Sequence, residues 1–256
     1  MSIVHGNGRI AGMDSMVGLD ELLKQTQQDG FAILPGVLSS DQADTILREL
    51  DRVWQSHPDG VMRSQSGNVY GARNLLRLWP KVAQVWKQPP LPDLLAQILG
   101  PDFGLVRVLY FDKPPEQTWA LPWHKDMTIA VRDNSSPSPH FAKPTRKAGV
   151  PHVEASGEVL QHMITARIHL DDVTVQNGPL KVLPGSHLSG TALELGTIHP
   201  QDILVQRGDV LLMRPLVAHC SNRSHPETNQ HRRILHLEFA GMRELPDGYQ
   251  WHDFAR

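Results

Sequence analysis

The chain has 256 residues, 40% hydrophobic and 20% charged, a length and balance that sustain a core and exclude a disordered chain. Its 25 basic and 27 acidic residues leave a net charge of −2, so no global field recruits nucleic acid or an anionic membrane. A single cysteine, Cys220, excludes an intrachain disulfide and a cysteine-built zinc site, and no apolar run approaches the ~18 residues of a membrane span.

Residues 1–15 are Gly-rich and unpatterned and read as a loose arm without the apolar core of a leader, so the expected setting is cytoplasmic. Leu19, Leu22 and Leu23 recur at helical spacing, with Gly30 where a C-cap belongs. Residues 31–38 read as a short buried strand interrupted by Pro35. Ser39 or Ser40 then caps a second helix with the stripe Leu47, Leu50, Val53. Residues 58–74 look irregular, and a third helix runs from about Pro92 to Leu99. From there the period changes to two: 105–112, 163–170, 180–184, 202–206, 209–213 and 233–239 read as strands. Asn177-Gly178, Pro184-Gly185 and Gly208-Asp209 mark turns between them. Residues 131–156, rich in Ser and Pro, read as a long loop. It is either a solvated surface segment or a lid whose Lys143, Arg146 and Lys147 meet an anionic substrate. No repeat or compositional break divides the chain, so 1–256 reads as one domain. Helices first and tight-turned strands afterwards predict a β-sandwich or small barrel with the helices outside.

Fourteen histidines are many, and three stretches organise the argument. In LPWHKDM (121–127), His124 and Asp126 are two apart; on an extended segment both point to one face and can converge on a cation, with Lys125 turned away. In 208–224, His219 follows an apolar strand and stands at its mouth, where it can supply a third ligand. In HRRILHLEF (231–239), two arginines open a strand whose neighbours are apolar; a buried arginine needs a planar anion such as a carboxylate. Arg232, Ile234, His236 and Glu238 share one face, Arg233, Leu235, Leu237 and Phe239 the other, and periodicity leaves open which face looks inward. Two histidines and one carboxylate form the facial set of non-haem Fe(II) oxygenases, with positions left for a 2-oxo acid and O₂.

In that order these stretches resemble the phytanoyl-CoA dioxygenase (PhyH-like) family of Fe(II)/2-oxoglutarate oxygenases. The similar segments are DGFAILPGVLSSDQ (29–42), FDKPP followed by PWHKD (111–126), NGPLKVLPGSHLSG (177–190), and GDVLLMRPLVAHCSNRS followed by RRILHLEF. The resemblance runs from about residue 17 to 240. It implies a mainly β fold, a double-stranded β-helix (jelly-roll, cupin-like) barrel. It implies that His124, Asp126 and His219 bind Fe(II), and that Arg232 holds the far carboxylate of 2-oxoglutarate, with Arg233 as the alternative. Ser221 matches a serine that touches 2-oxoglutarate, Leu109 a residue of the pocket wall, and Arg73 a basic residue near the cosubstrate. Arg167 replaces an aromatic and adds a cation near the cosubstrate or substrate. For Arg73 and Arg167 an ordinary salt bridge is the competing reading. A carboxylate at Asp126 favours hydroxylation over halogenation. The implied reaction hydroxylates a small, anionic or acyl-type molecule with O₂ and releases succinate and CO₂.

Two other readings stand beside this one: a cupin-type metalloenzyme that does not use 2-oxoglutarate, and a non-catalytic ligand-binding barrel. Oligomeric state is left open. His187 reads as a turn histidine, Arg207-Gly208-Asp209 as a hairpin turn, and Cys220 as a packing residue. Trp119 and Trp123 either wall the pocket or pack in the core, and His236 shares the face of Arg232.

Overall fold

The computed structural model describes residues 11–256. The N-terminal part holds α1 (Ala11–Gln28), β1 (Phe31–Leu34), α2 (Ser40–Ser56), β2 (Val61–Arg63), β3 (Val69–Ala72), α3 (Leu75–Leu78) and α4 (Leu91–Leu99). The rest is strand-rich: β4 (Gly104–Phe111), β5 (Leu121–His124), β6 (Thr128–Ala130), β7 (Phe141–Lys147), β8 (Val150–Ala155), α5 (Gly157–Leu160), β9 (Met163–His169), β10 (Leu180–Val182), β11 (Gln201–Ile203), β12 (Val210–Met213), β13 (His219–Ser221) and β14 (Ile234–Ala240). A seven-stranded sheet in the order β1-β12-β9-β14-β4-β3-β2 faces a four-stranded sheet, β11-β10-β13-β5, and a third sheet, β6-β8-β7, stands beside them. All pairings are antiparallel, and the arrangement is the expected jelly roll with its helices outside.

The two faces of the large sheet have different work. Ile164, Ala166 and Ile168 of β9, Leu235, Leu237 and Phe239 of β14, and Leu105, Val108 and Tyr110 of β4 pack with α2, α3 and α4 into the main core. Side chains alternate along a strand, so Arg167, His236, Glu238, Arg107 and Leu109 point the other way, into a cavity of about 560 Å³ between the sheets. A bulge between Glu238 and Phe239 keeps both faces in phase where Arg107 and Leu105 become their partners. α2 is amphipathic and starts on a capping box, in which Ser39 and Gln42 satisfy each other's backbone N–H.

Three local expectations are corrected. The loose arm was expected over 1–15; residues 1–10 lie outside the described residues, and 11–15 are already helical in α1. Residues 131–156 are no structureless loop, because β7 and β8 form a hairpin that pairs with β6. Five of the seven β7 residues are exposed, so their polarity hid the strand, and a register shift between Ala142 and Thr145 accommodates Pro144. The irregular stretch 58–74 contains β2 and β3, which extend the large sheet. No helix among the described residues is long and apolar enough to cross a membrane.

Arg207-Gly208-Asp209 is a turn, as expected: Asp209 accepts from the backbone N–H of Gly36 and of Gln206, and Arg207 pairs with Asp44. Gly208 has φ +92, and a Cβ there would sit 2.1 Å from the carbonyl oxygen of Leu38. That oxygen belongs to backbone, which cannot swing aside. Gly208→Ala therefore lowers stability by about 2–3 kcal/mol, read as a fall in the urea midpoint at unchanged slope.

Candidate metal centre

β5 and β13 are antiparallel neighbours, and their register sets His124 directly opposite His219. Asp126 lies just past β5, where its N–H donates to Pro215 O at 2.9 Å and fixes the backbone. His124 Nε2 is 3.8 Å from Asp126 Oδ1, and His219 Nε2 is 3.6 Å from Asp126 Oδ2. The two imidazole centroids are 4.2 Å apart. Of the His/Cys/Asp/Glu donors in the described residues, these three form a set with every donor atom within 4.8 Å of the others.

The tautomers follow from the hydrogen bonds. His124 Nδ1 lies 2.8 Å from Pro122 O, and His219 Nδ1 lies 2.9 Å from Val217 O. A carbonyl only accepts, so each Nδ1 carries the proton and each Nε2 keeps a lone pair toward Asp126. Burial holds His219 down to about 4 against the pull of Asp126, so it is a neutral ligand at neutral pH. Burial acts to raise Asp126, but His219, His236, His124 and Arg167 draw it down to about 2. Asp126 is open to the cavity and otherwise enclosed by protein. Two imidazoles and one carboxylate on one side of an open space fit a divalent cation with free positions. As expected, Lys125 points away, its Nζ donating to Ser186 O, Ser189 Oγ and Gly190 O.

The structure separates the two arginines. Arg233 sits on the outer face and binds Asp171 through its backbone N–H, its Nε and its terminal nitrogen. Arg232 lines the cavity, is 7% exposed, and its Nε has no acceptor. Burial, reinforced by Arg167, brings Arg232 down to about 9. Ser221 lies beside it on the cavity wall, as does Leu109. Arg167 is buried on the floor with a free Nε, and its terminal nitrogen meets His236 Nδ1 at 3.2 Å. His236 Nε2 faces Glu238 at 3.2 Å, and Glu238 is clamped by Arg107. Arg73 lines the cavity too, but its charged neighbour is Arg107; Arg167 and Asp112 are the charges felt by Arg232. Trp119 is on the cavity wall, and Trp123 is not among its lining residues.

Lys113 was not singled out from the sequence. It is 1% exposed, and its Nζ donates to Ser221 Oγ at 3.0 Å and Asn222 O at 2.7 Å. Its ammonium stands 5.6 Å from the Trp119 ring centre. Burial, then Arg232 and Arg167, lower it to about 7. The only signal was a lysine closing an apolar strand in FDKPP. His187 is structural, its Nε2 donating to Gln27 O.

Fold and site together define a jelly-roll protein with a two-histidine, one-carboxylate cluster. The chain belongs to the phytanoyl-CoA dioxygenase (PhyH) family, which matches residues 26–234. It is 26% identical over 167 residues to L-proline trans-4-hydroxylase from Streptomyces griseoviridis, covering 64% of this chain and 53% of that protein. It is 23% identical over 193 residues to ectoine dioxygenase from Bordetella parapertussis, covering 72% and 53%. The match thus spans about half the length of these curated relatives. Among solved structures, iron-bound EctD from S. alaskensis aligns with a TM-score of 0.65 at 17% identity, covering 93% of this chain and 79% of that one. The epimerase SnoN, in complex with Fe3+, alpha ketoglutarate and nogalamycin RO, aligns at 0.63 and 18% identity, covering 91% of each chain. At such identities the structural likeness establishes the fold.

Removing one donor from a three-donor set leaves a cation two weak anchors. Asp126→Ala and His219→Ala each lower Fe(II) or Co(II) affinity by at least about 100-fold, measured by anaerobic titration, with the circular dichroism spectrum unchanged.

Proposed function

We propose that this protein is an Fe(II)- and 2-oxoglutarate-dependent dioxygenase that hydroxylates a small molecule, with O₂ as oxidant and succinate and CO₂ as co-products. The observation that carries the reading is the pairing of three convergent donors with Arg232, a buried guanidinium that has no acceptor for its Nε. Fe(II) and 2-oxoglutarate are the metal and cosubstrate of the family to which the chain belongs.

In this reading His124 Nε2, His219 Nε2 and an Asp126 oxygen hold the iron, which when bound supplies the activation of O₂. Arg232 binds the far carboxylate of 2-oxoglutarate through its fork of N–H groups. Ser221 donates its hydroxyl to the same carboxylate, because its oxygen already accepts from Lys113. Lys113 thereby orients Ser221 and adds charge against the dianion. Arg167 offers its free Nε to the part of the cosubstrate nearest the metal, and the apolar face of Leu109 packs against the carbon chain. No side chain is assigned as acid or base. The free positions face the cavity, whose size suits a compact substrate beside the cosubstrate. A cytoplasmic setting accords with the buried, unpaired Cys220.

Anaerobic addition of 2-oxoglutarate to the Fe(II)-loaded protein is expected to give a weak visible band near ~500 nm. Arg232→Ala weakens cosubstrate binding about 100-fold with metal binding retained, whereas Arg233→Ala, which breaks the Asp171 contact, changes stability and not that affinity. Iron binding without the band would favour a cupin-type enzyme that uses no 2-oxo acid.

The pH dependence has a definite sign. Lys113 is held down to about 7, so its positive charge is present below that pH and lost above it. The cosubstrate Kd therefore rises, by up to about tenfold, as pH goes from about 6 to 8, and Lys113→Met flattens this dependence.

A further inference from the structure

Two cations in the cavity wall make no ion pair among the described residues, although Lys147 lies in the field of Glu238 and Glu154. Arg73 and Lys147 both line the cavity and are half-buried, and among the described residues neither makes an ion pair or a side-chain hydrogen bond. They arrive from distant parts of the chain. Arg73 follows β3, whose last pair is Ala72 with Tyr110, so it continues the inward row beside Leu109. Lys147 ends β7 at the tip of the hairpin. Asn74 Nδ2 donates to Ala148 O at 3.1 Å, which ties the residue after Arg73 to the residue after Lys147. Burial and then Arg107 lower Arg73; burial, Arg107 and Arg73 lower Lys147. The three cations therefore share one neighbourhood.

The carboxylates near them are taken. Glu238 accepts from Nε and a terminal nitrogen of Arg107 and faces His236 Nε2, and Glu154 pairs with Lys143 at 2.9 Å. The other hairpin cation, Arg146, donates to Gly149 O. Lys147 alone of the hairpin's three cations reaches the cavity. Half-buried like charges without a partner raise each other's cost, and a bound anion removes it.

The position is informative. The inward row of β14 runs Arg232, Ile234, His236, Glu238, a length of about 20 Å. Arg232 opens the row, and Arg107 is paired with Glu238 at its far end. Lys113, paired with Arg232 through backbone hydrogen bonds, donates to Ser221 Oγ two residues past His219, and Arg107 donates to Thr128 O two residues past Asp126, so the metal cluster lies between the two ends. We infer that Arg73 and Lys147 form an anion subsite for the substrate, across the metal cluster from the Arg232 end, and that the substrate is a compact molecule with a carboxylate or phosphate group. This rests on the dioxygenase reading above. The oxidised carbon then lies between that acidic group and the metal.

The test uses the Fe(II)-loaded protein saturated anaerobically with 2-oxoglutarate and titrated calorimetrically with inorganic sulfate. Sulfate is expected to bind the wild-type protein and to bind about tenfold or more weakly in Arg73→Gln and in Lys147→Gln, with the 2-oxoglutarate Kd held within about twofold. Lys147 sits at a hairpin tip, so its variant keeps the test valid if Arg73→Gln misfolds. Succinate release is then followed with compact carboxylic acids, phosphate monoesters and the matching neutral amides and alcohols. Stimulation by an acidic series and not by its neutral counterparts supports the subsite and says which acid it takes. Absence of sulfate binding, or equal binding by the variants, overturns the inference. So does a loss of 2-oxoglutarate affinity in Arg73→Gln, which would place Arg73 on the cosubstrate. Failure of the wild-type protein to bind 2-oxoglutarate removes the dioxygenase reading, and this inference with it.

Discussion

The register of β14 between β9 and β4 is the constraint on which the site depends. Leu235, Leu237 and Phe239 must meet the helices, and that demand sends Arg232, Ile234, His236 and Glu238 into the cavity. A slip of one residue would put Arg233 inside and expose the core face. The apolar core thus selects which of two adjacent arginines faces the metal cluster, though the helices never touch that cluster. Asp171 completes the selection by holding Arg233 on the outer side.

Charge is the second organising element. Besides Lys125, whose Nζ is turned onto Ser186 O, Ser189 Oγ and Gly190 O, the cavity wall carries Arg73, Arg107, Lys147, Arg167 and Arg232 against Asp126 and Glu238. Glu238 is consumed by Arg107, and Asp126 is shared between two imidazoles. The remaining guanidiniums and ammonium are buried or half-buried, which costs free energy that only anionic ligands return. In the reading proposed above, a 2-oxo dianion at one end and an acidic substrate at the other balance this surplus. The row Arg167–His236–Glu238–Arg107 joins the two ends by direct contacts across the sheet floor.

The three convergent donors come from β5, the segment just past it and the adjacent β13 of the smaller sheet, and carbonyls of the same strands or their flanks hold the imidazoles. Pro122 O and Val217 O, each two residues before its histidine, fix both rings in the same tautomer. Ligand orientation is therefore built from local backbone, and it does not require the metal to be present. Asp126 is anchored through its backbone, whose N–H donates to Pro215 O.

Much of this was legible in the chain alone. Period-two apolar alternation named six of the strands, the Ser39 cap announced α2, and the ordered series His124, Asp126, His219, Arg232 pointed to the candidate site. These signals survive because each depends on residues close in sequence or on a fixed spacing. Strands such as β7, exposed on five of its seven residues, carry no such alternation and read as loop. The choice between Arg232 and Arg233 needed a third dimension, because parity divides a strand into two faces without saying which one is covered. Lys113, the selection of Lys147 from the three cations of 131–156, and the grouping of Arg73 with Arg107 became visible only in the fold. Each matters through neighbours distant in sequence, and only closure of the sheets brings those neighbours together.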